Sequence, residues 1–259
     1  MSDDLFDLSG RVVIVTGGGT GIGEIYSEAL AGRGAKVLIA DIAAKEGEAV
    51  ASRIRANGSA AIAGATDISD PAQVARMAAR ALSEWGRIDG LVNNASLMST
   101  LARRPWHEID IAEWDRVMAV NLRGMFLCCR AVYPAMKAQG KGKIVNISSS
   151  RFWMGSPLRL HYSTSKAGVV GFTRSLSREV GADGIRVNAI TPGFTESATQ
   201  MATSTPDYVA QMKQRYQSRS LKRGQVPDDL VGAVAFLLSD ASDFMTGQTM
   251  NVDGGESMH

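Results

Sequence analysis

A chain of 259 residues with 45% apolar and 21% charged side chains is long enough for one large α/β domain or two small ones, and it lacks the low-complexity tracts of disordered or fibrous chains. Its net charge of +2 comes from interspersed signs, without the clustered Lys/Arg of a nucleic-acid binder, and its longest apolar runs, VVIV at 12–15 and AVAFLL at 233–238, are far short of the ~20 residues that span a bilayer. The acidic start MSDDLFDLSG has no basic or apolar secretory stretch, so the expectation is a cytoplasmic protein with small-molecule partners, neither nucleic acid nor membrane.

Taken in chain order, β-rich runs occur at RVVIVT (11–16), AKVLIAD (35–41), AAIAGATD (60–67), RIDGLVNN (87–94), GKIVNIS (142–148), IRVNAIT (185–191) and QTMNVDG (248–254). Helical patterns lie between them at about 21–32, 43–57, 70–86, 112–139, 161–181 and 226–239. Pro71, Pro227 and the Asp228–Asp229 pair fall where helix starts are expected, because proline and acidic residues suit a first turn. Repeated β-α alternation calls for a parallel sheet covered on both faces. The predicted fold is therefore α/β, a doubly wound sheet of about seven parallel strands with helices on both faces, with residues 1–259 forming one domain.

Segment 195–225 fits the alternation poorly. It carries Met201, Tyr208, Met212 and Tyr216 among polar residues, a pattern compatible with a mobile helical flap over a ligand and with a surface excursion that packs on a neighbouring subunit. Cys128 and Cys129 are adjacent, which gives no metal-ligand spacing, and both read as core thiols.

Directly after the first strand, TGGGTGIG at 16–23 opens a helix. Glycines there permit a tight turn and let backbone N–H groups and the helix N-terminus approach a pyrophosphate. Gly17, Gly21 and Gly23 depart from GxGxxG because three residues separate the first two. Asp41 ends the second strand 18 positions after Gly23, near the offset at which an acid bonds the adenosine ribose hydroxyls. Asp67, at the end of the third, suits an adenine contact and a helix cap equally well. Asn93–Asn94–Ala95–Ser96 follows at the end of the fourth, at the sheet edge where such folds bind ligands.

In HYSTSK at 161–166, Tyr162 and Lys166 lie four apart and so share one helix face. An ammonium beside a phenol of ordinary pKa ~10 favours the phenolate, which makes the pair a candidate acid–base device. Alone, the same spacing also suits a half-buried tyrosine and a solvated lysine.

Together TGGGTGIG, Asp67, NNAS, Asn121 in MAVNLRG, NISSS, YSTSK and TPG resemble the classical short-chain dehydrogenase/reductase family, from Leu8 to TGQTMNVDGG at 246–255. The resemblance implies a catalytic tetrad of Asn121, Ser149, Tyr162 and Lys166. Tyr162 would act as general base in alcohol oxidation and general acid in carbonyl reduction. Ser149 would bond the substrate oxygen, and Asn121 would hold a water that relays the proton through Lys166. It implies a Rossmann-type dinucleotide-binding domain and a homotetramer; the cofactor, NAD because Asp41 would repel a 2′-phosphate, would be held by Gly17, Thr20, Gly21, Ile22, Gly23, Asp41, Ile42, Asp67, Ile68, Asn94, Ala95, Ser96, Tyr162, Lys166, Pro192, Gly193 and Thr195. Two departures stand out: NNAS where the family has NNAG, and PGFTES with Ser197 for the usual threonine.

The substrate is expected to be a ring-bearing secondary alcohol or its ketone, because RFWMG beside Ser149 with Leu97, Met98, Met201 and Tyr208 suits an apolar, aromatic-accepting pocket. The same residues also suit core or subunit contact. The expected substrate contacts are Ser149, Trp153, Tyr162 and Met201. Within the family, SSSRFW, HYSTSKA and the C-terminal stretch look most like NAD-dependent 1-phenylethanol dehydrogenases and pyridoxal 4-dehydrogenases. The alternatives are a 3-oxoacyl thioester reductase and a catalytically silent dinucleotide-binding regulator.

Overall fold

The computed structural model describes residues 5–258; Met1–Asp4 of the acidic start, and His259, lie outside the described residues. Seven strands form one parallel sheet: β1 (Val12–Thr16), β2 (Lys36–Asp41), β3 (Ala61–Ala65), β4 (Gly90–Asn93), β5 (Gly142–Ile147), β6 (Ile185–Pro192) and β7 (Thr249–Val252), in the order β3-β2-β1-β4-β5-β6-β7. The helices are α1 (Gly21–Ala31), α2 (Ala44–Ala56), α3 (Pro71–Trp85), α4 (Ile111–Met118), α5 (Met125–Gln139), α6 (Leu160–Val180), α7 (Ala198–Thr203), α8 (Pro206–Arg215) and α9 (Asp228–Leu238).

The two-residue period of the strands builds two cores. Val12, Ile14, Leu38, Leu91, Ile144 and Val187 point to one face, where Val74 and Met77 of α3, Val132 and Met136 of α5 and Val169 of α6 cover them. Val13, Val15, Val37, Ile39, Val92 and Val145 point to the other, against Tyr26 and Leu30 of α1, Val50 of α2 and Val234 of α9. β1, β2, β4 and β5 are apolar on both faces, which explains why their runs read as continuous in the sequence. Cys128 and Cys129 lie in the first core, where burial pushes both thiols up, Cys129 to about 12.

The run expected as one helix over 112–139 is divided. A π-type stretch, Ala119–Gly124, separates α4 from α5, and Asn121 sits in it. Pro71 occupies the first turn of α3, with the Asp70 carboxylate accepting from Ala72 N at 2.8 Å, and Asp228 and Asp229 begin α9. The order of β1 and β4 reverses the chain's winding between them, so the carboxyl ends of these strands open a crevice.

Candidate active site

A cavity of about 510 Å³ occupies that crevice and is lined by the ends of β1 to β6 and by α7 and α8. Its floor is the loop after β1. Gly17 and Gly21 have φ of +61° and +60°, a region open to glycine, and a Cβ on Gly17 would lie 2.9 Å from the Ala95 Cα. Thr20 is the N-cap of α1, but its side chain caps nothing, so the first-turn N–H groups have no side-chain acceptor. An uncapped eleven-residue helix behind a cradle that only glycine permits fits the pyrophosphate of a dinucleotide. Gly23 is absent from the cavity wall, and a Cβ there would fall on the Gly17 carbonyl oxygen. It lets α1 pack on the loop.

Asp41 is buried at the end of β2 and lines the cavity. Its Oδ2 accepts from Gly19 N at 2.8 Å and its Oδ1 from Ala43 N at 2.9 Å, so the same carboxylate also holds the glycine loop. Asp67 stands two residues beyond β3 and faces the cavity while accepting from Ser69 N and Oγ at 2.9 and 2.7 Å. The helix cap is Asp70, not Asp67. Asn94 Nδ2 donates to the carbonyls of Thr16 and Gly17 at 3.1 and 3.0 Å, tying NNAS to the loop. Ile22, Ile42, Ile68, Ala95, Ser96, Pro192, Gly193 and Thr195 complete this half of the wall.

Ser149, Tyr162 and Lys166 meet in the other half. Tyr162 is 5% exposed, and the Ser149 side chain stands beside its phenol, where it favours the phenolate. Ser148 is turned away, its Oγ donating to the Lys166 carbonyl at 2.6 Å. Lys166 Nζ donates to the Ile147 carbonyl at 2.8 Å. With the protein's own groups alone, burial outweighs the pairing expected from the sequence. It pushes the Tyr162 phenol above its usual range, against the lowering effects of Ser149, Arg151 and Arg159, and pushes Lys166 down to about 7. The expectation that Lys166 lowers Tyr162 is thus corrected, because desolvation disfavours the charged form of both.

Asn121 does not reach the cavity. Its Oδ1 accepts from Leu97 N at 2.8 Å, and its Nδ2 donates to the Leu97 carbonyl and to Ser165 Oγ at 3.2 and 3.0 Å, so its side chain fixes the loop after NNAS rather than facing a water in the site.

Two substrate assignments are also corrected. Trp153 and Met201 lie outside the cavity wall, the Trp153 ring packing on Phe152 at 4.1 Å between centroids. Their neighbours Met154, Thr199 and Gln200 line it instead, with Phe194, Leu97, Met98, Tyr208 and Met212. Segment 195–225 covers the cavity as α7 and α8. Ser197 caps α7 through Gln200 N at 3.2 Å, and Glu256 anchors Arg215 and Arg219 at 2.7 and 3.0 Å. Arg159 was not expected at the site: it is a charged residue three places before Tyr162, and its position at a helix start was its only signal.

A family model described as "Enoyl-(Acyl carrier protein) reductase" matches residues 17–257. Curated relatives include "Probable galactose dehydrogenase GalD" of Rhizobium meliloti, 42% identical over 96% of both chains. The cis-4-hydroxycyclohexanecarboxylate dehydrogenase of Sinomonas cyclohexanicum is 40% identical over 95% of this chain and 96% of its own. Among solved structures, the 3-ketoacyl-(acyl-carrier-protein) reductase of Brucella melitensis complexed with NADH superposes with TM-score 0.88 and 36% identity, covering 97% of this chain and 100% of that one. A structure from Beutenbergia cavernae, described as an NAD(P)-dependent gluconate 5-dehydrogenase with NADP at low occupancy, has the same TM-score and identity over 98% and 99%. No helix among the described residues is long and apolar enough to cross a membrane.

Proposed function

The chain belongs to the short-chain dehydrogenase/reductase family, and from that premise we propose that it is an NAD-linked oxidoreductase acting between a ring-bearing secondary alcohol and its ketone. The observation that carries the reading is the convergence of Ser149, Tyr162 and Lys166 on one cavity with the glycine cradle and Asp41. A nicotinamide dinucleotide would lie along Gly17–Ile22, Asp41 and Asp67 and would supply the hydride acceptor or donor.

In the direction of oxidation, Ser149 holds the substrate hydroxyl beside Tyr162, and Tyr162, after its phenol proton has been lost to solvent, takes the substrate proton as the hydride leaves for the cofactor and the C=O bond forms. In reduction Tyr162 returns the proton. Lys166, fixed by the Ile147 carbonyl, stabilises the phenolate once charge develops. Asn121 is a positioning residue that keeps Leu97 and Ser165 in place.

Asp41 supports NAD rather than NADP, since a 2′-phosphate would face a buried carboxylate. The apolar wall of Leu97, Met98, Met154, Tyr208 and Met212 supports a ring, and the hydroxycyclohexane ring in one relative's name is of that kind. The within-family alternative is 3-oxoacyl thioester reduction, which the Brucella structure favours. Following NAD reduction at 340 nm across cyclic and open-chain secondary alcohols, with NADH oxidation by a 3-oxoacyl thioester as the second arm, tests the assignment. Turnover only with the thioester replaces it by the alternative, and no turnover with either supports the silent regulator.

A further inference from the structure

The structure assigns the substrate a second polar anchor: we propose that Arg151 and Arg159 bind a carboxylate, so that the substrate is a ring-bearing hydroxy acid or the corresponding oxo acid. The inference rests on the secondary-alcohol reading above and names the substrate class for the same site.

Both arginines line the cavity with Ser149 and Tyr162, and Arg159 is only 7% exposed. Among the described residues neither pairs with a carboxylate. Arg151 Nη2 donates to the carbonyls of Ser156 and Pro157 at 3.4 and 2.8 Å, while its Nε is buried without a partner. Arg159 Nε and Nη2 donate to the Leu101 carbonyl at 3.1 and 2.8 Å, and its Nη1 meets only Met98 Sδ, a weak acceptor, at 3.3 Å.

Burying a cation without a counter-charge is costly, and two buried cations outside the cavity each have a carboxylate partner. The buried Lys143 is paired with Asp243 at 2.7 Å and the buried Arg219 with Glu256 at 3.0 Å. Burial holds both Arg151 and Arg159 below the usual arginine range; Arg151 and Arg103 add to it at Arg159, and Arg103 and Arg215 add to it at Arg151. The turn that delivers Arg159 passes through Leu158 at φ +69°, a conformation that non-glycine residues rarely adopt. A carboxylate entering between the two guanidiniums would supply the missing charge and accept the unused donors in the fork geometry that arginine offers. Leu97, Met98, Tyr208 and Met212 then enclose the apolar ring, with the alcohol at Ser149 and Tyr162.

The test compares matched substrates, hydroxycyclohexane carboxylates against their carboxamides, by kcat/KM with NAD. Wild type should prefer the acids about thirtyfold or more. Arg151→Met and Arg159→Met should each cut that ratio at least tenfold, mostly through KM, with Arg159→Lys restoring part of it. Independently of turnover, calorimetry should find saturable binding of cyclohexanecarboxylate, which has no alcohol, to the NADH complex of wild type, and loss of it in Arg151→Met. Carboxamides used as well as acids, absence of cyclohexanecarboxylate binding to wild type, or tighter binding of cyclohexyl phosphate would each overturn the carboxylate assignment. Binding of the acid without oxidation of any alcohol would leave the anion site standing and sink the secondary-alcohol reading instead.

Discussion

Lys166 Nζ lies 5.8 Å from the centroid of the Tyr162 ring, one turn further along α6, with both side chains buried. The pair is therefore a device whose charge state is set first by desolvation and only then by mutual attraction. Tyr162→Phe keeps the ring and removes the proton carrier. Turnover should fall 10²-fold or more, the usual size of a general acid–base contribution, while NADH fluorescence titration gives an unchanged affinity. A variant within tenfold of wild type would refute the role.

Lys166 carries a pH signature in stability. Its ordinary value is 10.5 and its folded-state value is about 7, so between these limits the unfolded chain holds a proton that the folded chain has released. Stability therefore rises with pH through this window. Lys166→Met removes the effect. In urea unfolding, wild type should gain about 2 kcal/mol on the variant between pH 7 and 9. Parallel stability curves would show that Lys166 is not held against its charge.

Asp41 should make NAD the better cofactor by at least tenfold in kcat/KM, because repulsion between its carboxylate and a 2′-phosphate exceeds ~1 kcal/mol at 4 Å even in water. Asp41→Asn should narrow the gap. The same change weakens the bonds to Gly19 and Ala43, so a modest loss in thermal stability, of about 1 kcal/mol, should accompany it. Equal use of both cofactors by wild type would displace Asp41 from this role.

Gly23→Ala should destabilise the fold by several kcal/mol, since the added methyl meets the Gly17 carbonyl and backbone must move. Gly171→Ala, with open space around it on α6, is the matched control and should be neutral to slightly stabilising. Thermal melts of both variants decide whether the third glycine serves packing.

The exposed apolar residues Ile111 of α4 and Phe126 of α5, at 73% and 45% exposure, are surface that a second copy would cover. A homotetramer is the expected assembly, and light scattering at micromolar concentration should give four times the 27.6 kDa chain mass. A monomer mass would exclude it.

What was legible in the sequence follows the physics of each feature. β1, β2, β4 and β5 are apolar on both faces, so their places in the chain read directly, while the ends of β3, β4 and β7 fall up to three residues inside the expected runs. The glycine spacing, Asp41 and the count from Tyr162 to Ser149 are local relations that a linear chain displays. The cap role of Asp70 was hidden because Asp67 and Asp70 carry the same signal three residues apart. Trp153 and Met201 were misassigned because being near Ser149 or in the flap says nothing about which side of a short helix or turn faces inward. Arg159 was missed because an arginine reads as solvated until a three-dimensional wall closes around it.

The π-type stretch at Ala119–Gly124 has a further bearing. Each helical residue turns the chain by about 100°, so dropping one residue from this stretch would swing all of α4 around its axis relative to α5. Asn121 would leave Leu97 and Ser165 together. Substitutions there act one side chain at a time, whereas a single-codon deletion acts on the whole rod. The alignment of the two halves is stored in the residue count of six, and no individual side chain could restore it.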